Sequence, residues 1–412
     1  MTLSEELHWR GLINQTTLTD LSYLDNNKVT FYHGFDASAD SQTVGNLAGM
    51  MLDRLFMKHG HKAVILAGGA TSLIGDPGGK DIERPLQDDQ TIESNVVKAK
   101  EQLTRVLSGY EFKLVNNLSW TRDMSVLYYL REYGKHFSMT PLIQRDYIAN
   151  RLGEGGSGIS YAEFSYTILQ GIDFLHLYDE ENVTLQLGGS DQWGNCLSGV
   201  ELIRKIRGAE AHVLTIPLII NKTTGTKFGK SEEGAVWLDE DKTSVYQFYQ
   251  FWLNTDDESV EDYLKIFTEI DKEGLESLMA GFNNDRAGRS AQKILAFEVT
   301  KIVHGKERAE SVKRVSEALF SGDYNHLSSD DMQLLTNELP VVRVADGTNL
   351  VALLVSSGLA SSNTEARHFI SSGAVYLNNQ PATEETNLSS EGSIHGYKIL
   401  RRGKNSSALI QL

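Results

Sequence analysis

Short apolar runs that end in glycine, with helical stretches between them, constrain the first half of this chain more than any other feature. Val29-Thr30-Phe31-Tyr32 leads to Gly34, Ala63-Val64-Ile65-Leu66-Ala67 leads to Gly68, and Val183-Thr184-Leu185-Gln186-Leu187 leads to Gly188-Gly189. Runs this short and this continuously apolar read as strands buried on both faces, the habit of parallel sheets. Helical segments at 47–59, stopped by Gly60, and at 95–107 fall between them. The alternation predicts an open, mostly parallel sheet that binds ligands at the carboxyl ends of its strands.

This is an α/β, Rossmann-like pattern, and it stops near residue 240. Beyond that point the spacing predicts helices alone, at 246–254, 260–267 and 289–304. Residues 325–345 are acidic and read as an irregular linker. From Thr348 a small α+β module is predicted, with a helix at 350–356, a second helix capped by Asn363, and a strand and turn over 374–380. Neither internal repeats nor low-complexity tracts occur.

At 412 residues the chain can build two or three full cores. Its one cysteine, Cys196, excludes an internal disulfide and suggests a reducing compartment. The acidic start Met1-Thr2-Leu3-Ser4-Glu5-Glu6 does not read as a signal peptide, and no apolar run approaches membrane-spanning length, so a cytoplasmic protein is expected. A net charge of −16 argues against sequence-blind binding to DNA or RNA, since phosphate neutralisation dominates such affinity. Local basic patches remain, at Arg204-Lys205-Ile206-Arg207, at Arg286, Arg289 and Lys293, and at Lys398 through Arg401, Arg402 and Lys404. Each has an alternative reading as a solvated face.

Several apparent motifs fail on context. Gly153 to Gly158 satisfies a dinucleotide-binding spacing but follows a helical segment where a strand is needed. Gly225 to Ser231 is one residue short of a phosphate-binding P-loop, and Gly75 to Lys80 lacks the Ser/Thr that would meet magnesium. Two other segments are more telling. Gly34-Phe35-Asp36-Ala37-Ser38-Ala39-Asp40-Ser41-Gln42-Thr43-Val44-Gly45-Asn46 runs from a strand end into a helix start, whose N–H groups suit a phosphate. Lys227-Phe228-Gly229-Lys230-Ser231 is a doubly cationic loop. Together they suit a nucleoside triphosphate.

Within Phe164 to Leu175, Tyr166, Gln170 and Asp173 stand at i, i+4 and i+7, so one helix face presents a phenol, an amide and a carboxylate. Their neighbours are apolar, and a carboxylate buried there is costly unless something donates to it. The face is either a structural network or a pocket for a small ligand bearing a hydroxyl and an ammonium.

With these segments in order, the chain resembles the bacterial tyrosyl-tRNA synthetases, class I aminoacyl-tRNA synthetases, along its whole length. The landmarks are Tyr32-His33-Gly34-Phe35-Asp36, Gly68-Gly69-Ala70-Thr71 through Asp76-Pro77, Glu163-Phe164-Ser165-Tyr166 with Gln170 and Asp173, Gly188 through Asn195, and Lys227 to Ser231. The resemblance implies formation of tyrosyl-AMP from L-tyrosine and ATP, then transfer of tyrosine to the terminal adenosine of tRNA(Tyr). By that likeness Tyr32 and Asp173 read the substrate hydroxyl, while Asp76, Tyr166 and Gln170 hold its ammonium. Gly34, Asp36, Ser38, Gly45, Asn46, Gly189, Asp191, Gln192 and Lys230 would bind ATP. Catalysis would fall to Thr43, Asn46, Lys80, Arg84, Lys227, Lys230 and Ser231, the last three in this chain's version of the KMSKS loop. Magnesium would travel with the triphosphate, with no dedicated protein metal site.

The implied division is a catalytic domain over 1–222, the KMSKS loop and a helical anticodon-side domain over 223–325, a linker over 326–344 and a small RNA-binding domain over 345–412. RNA contacts are expected from Arg204, Lys205, Arg207, Lys398, Arg401, Arg402 and Lys404. A homodimer with no membrane or DNA partner is expected. Thr43 and Asn46 replace two histidines usual in the family, a form resembling tryptophanyl enzymes, and His33 stands where a cysteine is common. Tryptophanyl activity and a non-catalytic RNA-binding relative are therefore the alternatives. Tyr32 with Asp173 speaks against the first, and the Lys227/Lys230/Ser231 loop with Asp191-Gln192 against the second.

Overall fold

The structure, a computed structural model, describes residues 1–76, 88–144, 146–223, 225, 228–231, 234–344, 348–386, 388–403 and 406–411, with backbone alone at 146, 147, 230 and 231. The chain forms two compact units. One comprises Met1–Thr243 and Trp252–Leu295, the other Ser244–Phe251 and Ala296–Leu412.

The first unit is built on a six-stranded sheet. Its strands are β1 (Gln15–Thr16), β2 (Thr30–Asp36), β3 (Lys62–Gly68), β4 (Phe112–Asn116), β5 (Val183–Gly189) and β6 (His212–Ile216), in the spatial order β1-β6-β5-β2-β3-β4. All neighbours pair in parallel except β1 with β6. The chain leaves β2 towards β3 and β4, then returns to the other side of β2 for β5 and β6. Strand order thus reverses between β2 and β5, the place where such sheets open a crevice for ligands.

Strand alternation sorts β2 into two faces. Phe31, His33 and Phe35 face the helix Val44–Lys58, where Phe31 meets Phe56 and His33 meets Asp53. Tyr32 faces the opposite side and packs against Phe174 of the helix Tyr161–Glu181. That helix starts at Ser160, whose hydroxyl accepts from the Glu163 N–H while the Glu163 carboxylate accepts from the Ser160 N–H. Arg151 grips the same carboxylate through both Nη atoms, at 2.9 and 2.8 Å, within the interior. The helix ends at Asn182, in the left-handed region at φ 55°.

The second unit carries a five-stranded sheet of β9 (Val341–Arg343), β10 (Val375–Leu377), β11 (Gln380–Pro381), β12 (Tyr397–Arg402) and β13 (Ser406–Gln411), ordered β11-β10-β12-β13-β9. Helices Leu350–Ser356 and Asn363–Ser371 pack on it through Leu350, Leu353, Leu354, Ala366 and Ile370. Two expectations need correction. The stretch read as irregular holds the helix Ser329–Glu338 and then β9, because Ser328 and Asp331 form a reciprocal capping box while Met332 and Leu335 are buried. The helix over Asn363–Ser371 is capped by Ser362, whose Oγ accepts from Glu365, and not by Asn363.

Candidate active site

Asp173 lies on the buried face of the Tyr161–Glu181 helix, 3 % exposed. Two donors reach it from just beyond β4: Trp120 Nε1 donates to Oδ1 at 2.8 Å and Asn117 Nδ2 to Oδ2 at 3.0 Å. Asn117 is itself locked, accepting from the Ala70 N–H at 2.7 Å and donating to Thr71 Oγ1 at 3.2 Å. The Trp120 ring stacks on His176 at 4.2 Å. Burial pushes the Asp173 carboxyl up to about 7 although both donors pull it down, and the Asp36 charge adds to the rise. Sequence reasoning missed both Trp120 and Asn117. A paired asparagine directly after the apolar β4 run, at 116 and 117, was the available signal.

Across the pocket, Tyr32 is 2 % exposed and its hydroxyl is buried without a hydrogen-bond partner among the described residues. Burial raises the Tyr32 phenol well above its ordinary value, and the charges of Cys196 and Asp173 add to this. An unpartnered buried hydroxyl is expensive, about 1–3 kcal/mol, so this one is chemically suited to take a polar ligand atom. Gln170 repeats the pattern: its Oε1 is buried and unpartnered, while Nε2 sits 3.8 Å from Cys196 Sγ.

Moving towards the strand ends, the Tyr166 hydroxyl donates to Asp36 at 3.3 Å from Oδ1. Burial again raises this phenol, helped by Asp36 and Asp76. Asp76 accepts from Gln192 Nε2 at 2.6 Å, Gln192 Oε1 accepts from Asn195 Nδ2 at 3.1 Å, and Asn195 Oδ1 accepts from Thr167 Oγ1 at 2.5 Å. One polar chain therefore joins the Tyr161–Glu181 helix to the segment after β5. Gly189 at the end of β5 leaves room for Asp191, since a Cβ there would lie 2.6 Å from its Oδ1. Asp36, Asp76, Tyr166, Gln170, Asp173, Gly189 and Gln192 are thus gathered around the β2/β5 switch point.

At the start of the Val44–Lys58 helix, Asn46 Oδ1 accepts from both the N–H and the Oγ1 of Thr43, at 3.0 and 2.8 Å. This cap commits the oxygen and leaves the exposed Nδ2 amide as a donor with no bond among the described residues. Gly34 and Gly45 are exposed beside it, and Ser38 is half-buried in the intervening loop. Gly229 and Val236 lie against this helix start: the Val236 carbonyl accepts from the Val44 N–H at 3.0 Å, and a Cβ on Gly229 would stand 3.4 Å from the Gly45 nitrogen. Lys230 and Ser231 form β7, paired antiparallel with Gly234–Ala235 (β8). Phe228 anchors the loop among Tyr263, Phe267 and Trp252, at 4.7, 5.2 and 5.4 Å. Lys80, Arg84, Lys227 and Lys404 lie outside the described residues.

The RNA-contact candidates are more dispersed. Arg204 pairs with Glu201 at 2.6 Å, Lys205 donates to the His136 carbonyl at 2.8 Å, and Arg207 makes a two-pronged pair with Asp179. Arg289 is spent on the Leu253 and Thr255 carbonyls. In the second unit Arg401 stacks over Tyr376 and Arg402 over Phe369, each at 4.9 Å, whereas Lys398 is only 7 % exposed.

Comparison with known proteins agrees with this geometry. The family model for class I tRNA synthetases (W and Y) matches residues 24–321, and the tyrosine–tRNA ligase SYY-like C-terminal domain matches 331–410. A tyrosine–tRNA ligase of Geobacillus kaustophilus is 46 % identical over 421 residues, covering 100 % of both chains. Tyrosine–tRNA ligase 2 of Bacillus cereus is 43 % identical over 422 residues, again with 100 % of both chains covered. Among solved structures, a C-terminally truncated mitochondrial tyrosyl-tRNA synthetase of Aspergillus nidulans superposes with a TM-score of 0.70 at 30 % identity, covering 77 % of this chain and 94 % of its own. A tryptophanyl-tRNA synthetase of Plasmodium falciparum, at 14 % identity and a TM-score of 0.54, shares the fold alone.

Proposed function

The chain belongs to the class I tyrosyl-tRNA synthetases, and from that premise we propose how its residues divide the work of joining tyrosine to tRNA. The established reaction has two steps. A tyrosine carboxylate oxygen attacks the α-phosphorus of ATP, a new P–O bond forms, and the bond to pyrophosphate breaks. A ribose hydroxyl of the terminal adenosine of tRNA(Tyr) then attacks the acyl carbon, and AMP leaves.

One observation carries the assignment of the amino-acid site: a buried Tyr32 hydroxyl with no hydrogen-bond partner among the described residues, within electrostatic reach of Asp173, which two donors hold in place. The substrate hydroxyl donates to Asp173 and accepts from Tyr32, and its ammonium meets Asp76, Tyr166 and Gln170. Phenylalanine would leave both Tyr32 and Asp173 unsatisfied. ATP lies along Gly34 to Ser38 and the start of the Val44–Lys58 helix, with Asp191 and Gln192 at the sugar and adenylate. Magnesium arrives bound to the triphosphate as part of the substrate.

No protein nucleophile is needed. Negative charge builds on a crowded phosphate, so cations and N–H donors that engage it in the transition state do the catalysis. Asn46 Nδ2 is poised for this, and Lys230 is carried beside it on β7. Lys80, Arg84 and Lys227 complete the set by family likeness. Loss of one such donor costs about 3 kcal/mol, roughly a hundredfold in rate.

The remaining assignments rest on exposure. Val126, Leu127, Tyr128, Leu130, Met139, Ile143 and Tyr161 are large apolar side chains exposed on the first unit. A second copy of the chain covers them, giving a homodimer. Arg401 and Arg402, presented by β12, serve the tRNA from the 345–412 module, and the enzyme works in the cytoplasm. Tyrosine-dependent exchange of pyrophosphate into ATP tests the central reading: exchange with tyrosine and not tryptophan supports it, and none with folded protein and magnesium removes it.

A further inference from the structure

The indole that donates to Asp173 is not held by its own segment. Trp120 lies on the helix Leu118–Thr121, a single turn of 4 residues with no side-chain cap and no buried residue. The χ2 torsion of an aromatic side chain has a broad, soft well, so the plane of such a ring is set by what packs on it. Here one face of the indole lies on His176, with ring centroids 4.2 Å apart and planes 21° from parallel. The indole also packs against the apolar cluster that contains Tyr32 and Phe174.

His176 follows Asp173 by one helical turn on the helix Tyr161–Glu181, so the two side chains leave the same face. That one helix therefore supplies both the acceptor of the Trp120 N–H, at 2.8 Å, and the flat surface on which the donor rests. Neither ring nitrogen of His176 makes a hydrogen bond among the described residues, so its face and not its edge is what the structure uses. Burial holds this imidazole below its ordinary value, against the opposing charges of Glu180, Asp179 and Glu181. It meets the indole at neutral pH as an uncharged ring, stacked and not cationic.

We propose that His176 is a positioning residue for recognition of the substrate hydroxyl, fixing the plane of Trp120 and through it the direction of the bond to Asp173. The indole N–H lies in the plane of its ring. A tilt of the ring therefore swings the donor away from the carboxylate oxygen, and a hydrogen bond weakens steeply as its angle closes. Asn117, on the other oxygen, is already locked by Ala70 and Thr71. Trp120 is thus the side on which the Asp173 carboxylate is free to turn, and a turned carboxylate presents the wrong lone pair to a ligand hydroxyl. His176 touches no substrate and acts only through the donor behind the acceptor. The proposal rests on the assignment of Asp173 to the tyrosine hydroxyl made above.

Pyrophosphate exchange with tyrosine and with phenylalanine, at saturating ATP, tests it through the ratio of their kcat/KM values. In His176→Ala the ratio should fall by about three- to tenfold, the worth of one aromatic pair, through a higher KM for tyrosine. The KM for ATP should stay within about twofold, since the nucleotide groups lie outside this stack. His176→Phe restores a flat ring and should return the ratio to that of the parent. In a Trp120→Phe background, where no N–H remains to be aimed, His176→Ala should change the ratio by less than about twofold. An unchanged ratio in natively folded His176→Ala, a fall that His176→Phe does not reverse, or an equal fall in both backgrounds overturns the proposal. Asp173→Ala separates the two readings. If it collapses the ratio while His176→Ala does not, only the present inference fails, and if it leaves the ratio unchanged, the hydroxyl-reading site itself is misplaced.

Discussion

Replacing Asp173 by alanine should cost tyrosine its main point of recognition and cost phenylalanine almost nothing. Each Asp173 oxygen already accepts one protein hydrogen bond, from Trp120 and from Asn117, and retains a lone pair for the substrate. A hydrogen bond to a charged acceptor contributes about 1.5–3 kcal/mol, which is roughly 10- to 150-fold in kcat/KM. Phenylalanine never made that bond, and in the wild type it strands both the carboxylate and the Tyr32 hydroxyl. The variant removes half of that penalty, so discrimination should narrow by at least the tyrosine loss. Alanine also leaves Trp120 Nε1 and Asn117 Nδ2 without an acceptor, so a lower melting temperature is expected. Asp173→Asn keeps the shape and one acceptor and should lie between. The assay is pyrophosphate exchange at saturating ATP with each amino acid in turn. A tyrosine-to-phenylalanine ratio of kcat/KM unchanged within twofold, in protein with native circular dichroism, refutes the assignment of Asp173 to the hydroxyl.

Four further outcomes are expected. Because Asp173 titrates near 7, tyrosine recognition by its carboxylate should weaken as pH falls through that value, and Trp120→Phe, which removes a donor that lowers the pKa, should move this acidic limb to higher pH. A limb that stays put or moves the other way contradicts the coupling. The same raised pKa means that the folded chain holds a proton the unfolded chain has lost between about pH 4 and 7, so stability should decline as pH rises across that window, and Asp173→Asn should flatten the decline in denaturant titrations. Phe228→Ala should cost about 3–5 kcal/mol of stability by emptying its place among Tyr263, Phe267 and Trp252, measurable in urea unfolding, and an unchanged midpoint would show the loop is held otherwise. Finally, the parent is expected to run as a dimer in light scattering and a Leu127→Asp and Leu130→Asp double variant as a monomer, and an unaltered dimer mass would place the interface elsewhere.

Much of the catalytic unit was legible because its information is local. Apolar runs ending in glycine located β2, β3 and β5, and the spacing of Tyr166, Gln170 and Asp173 placed three polar groups on one buried face. What that face needed was not legible. Asn117 and Trp120 reach Asp173 from 56 and 53 positions away, and no local rule pairs them. The Asp53 carboxylate was hidden in an apolar helix for the same reason. The helix Ser329–Glu338 was masked by its acidity, although the Ser328/Asp331 box that starts it is a local signal. Lys398 counted as one more surface cation, but its position in β12 turns it inward, which depends on how the strand is covered and not on charge.

The alternation of β2 has a consequence for how such an enzyme can change. Residue 32 looks towards the Tyr161–Glu181 helix and residue 33 towards the Val44–Lys58 helix, so two neighbouring codons govern two separate faces of the sheet. Substitutions at either can be selected with little cross-talk, because a pleated backbone stands between them. Inserting or deleting a single residue upstream within the strand would do the opposite, exchanging the two faces and disrupting both sets of contacts in one step.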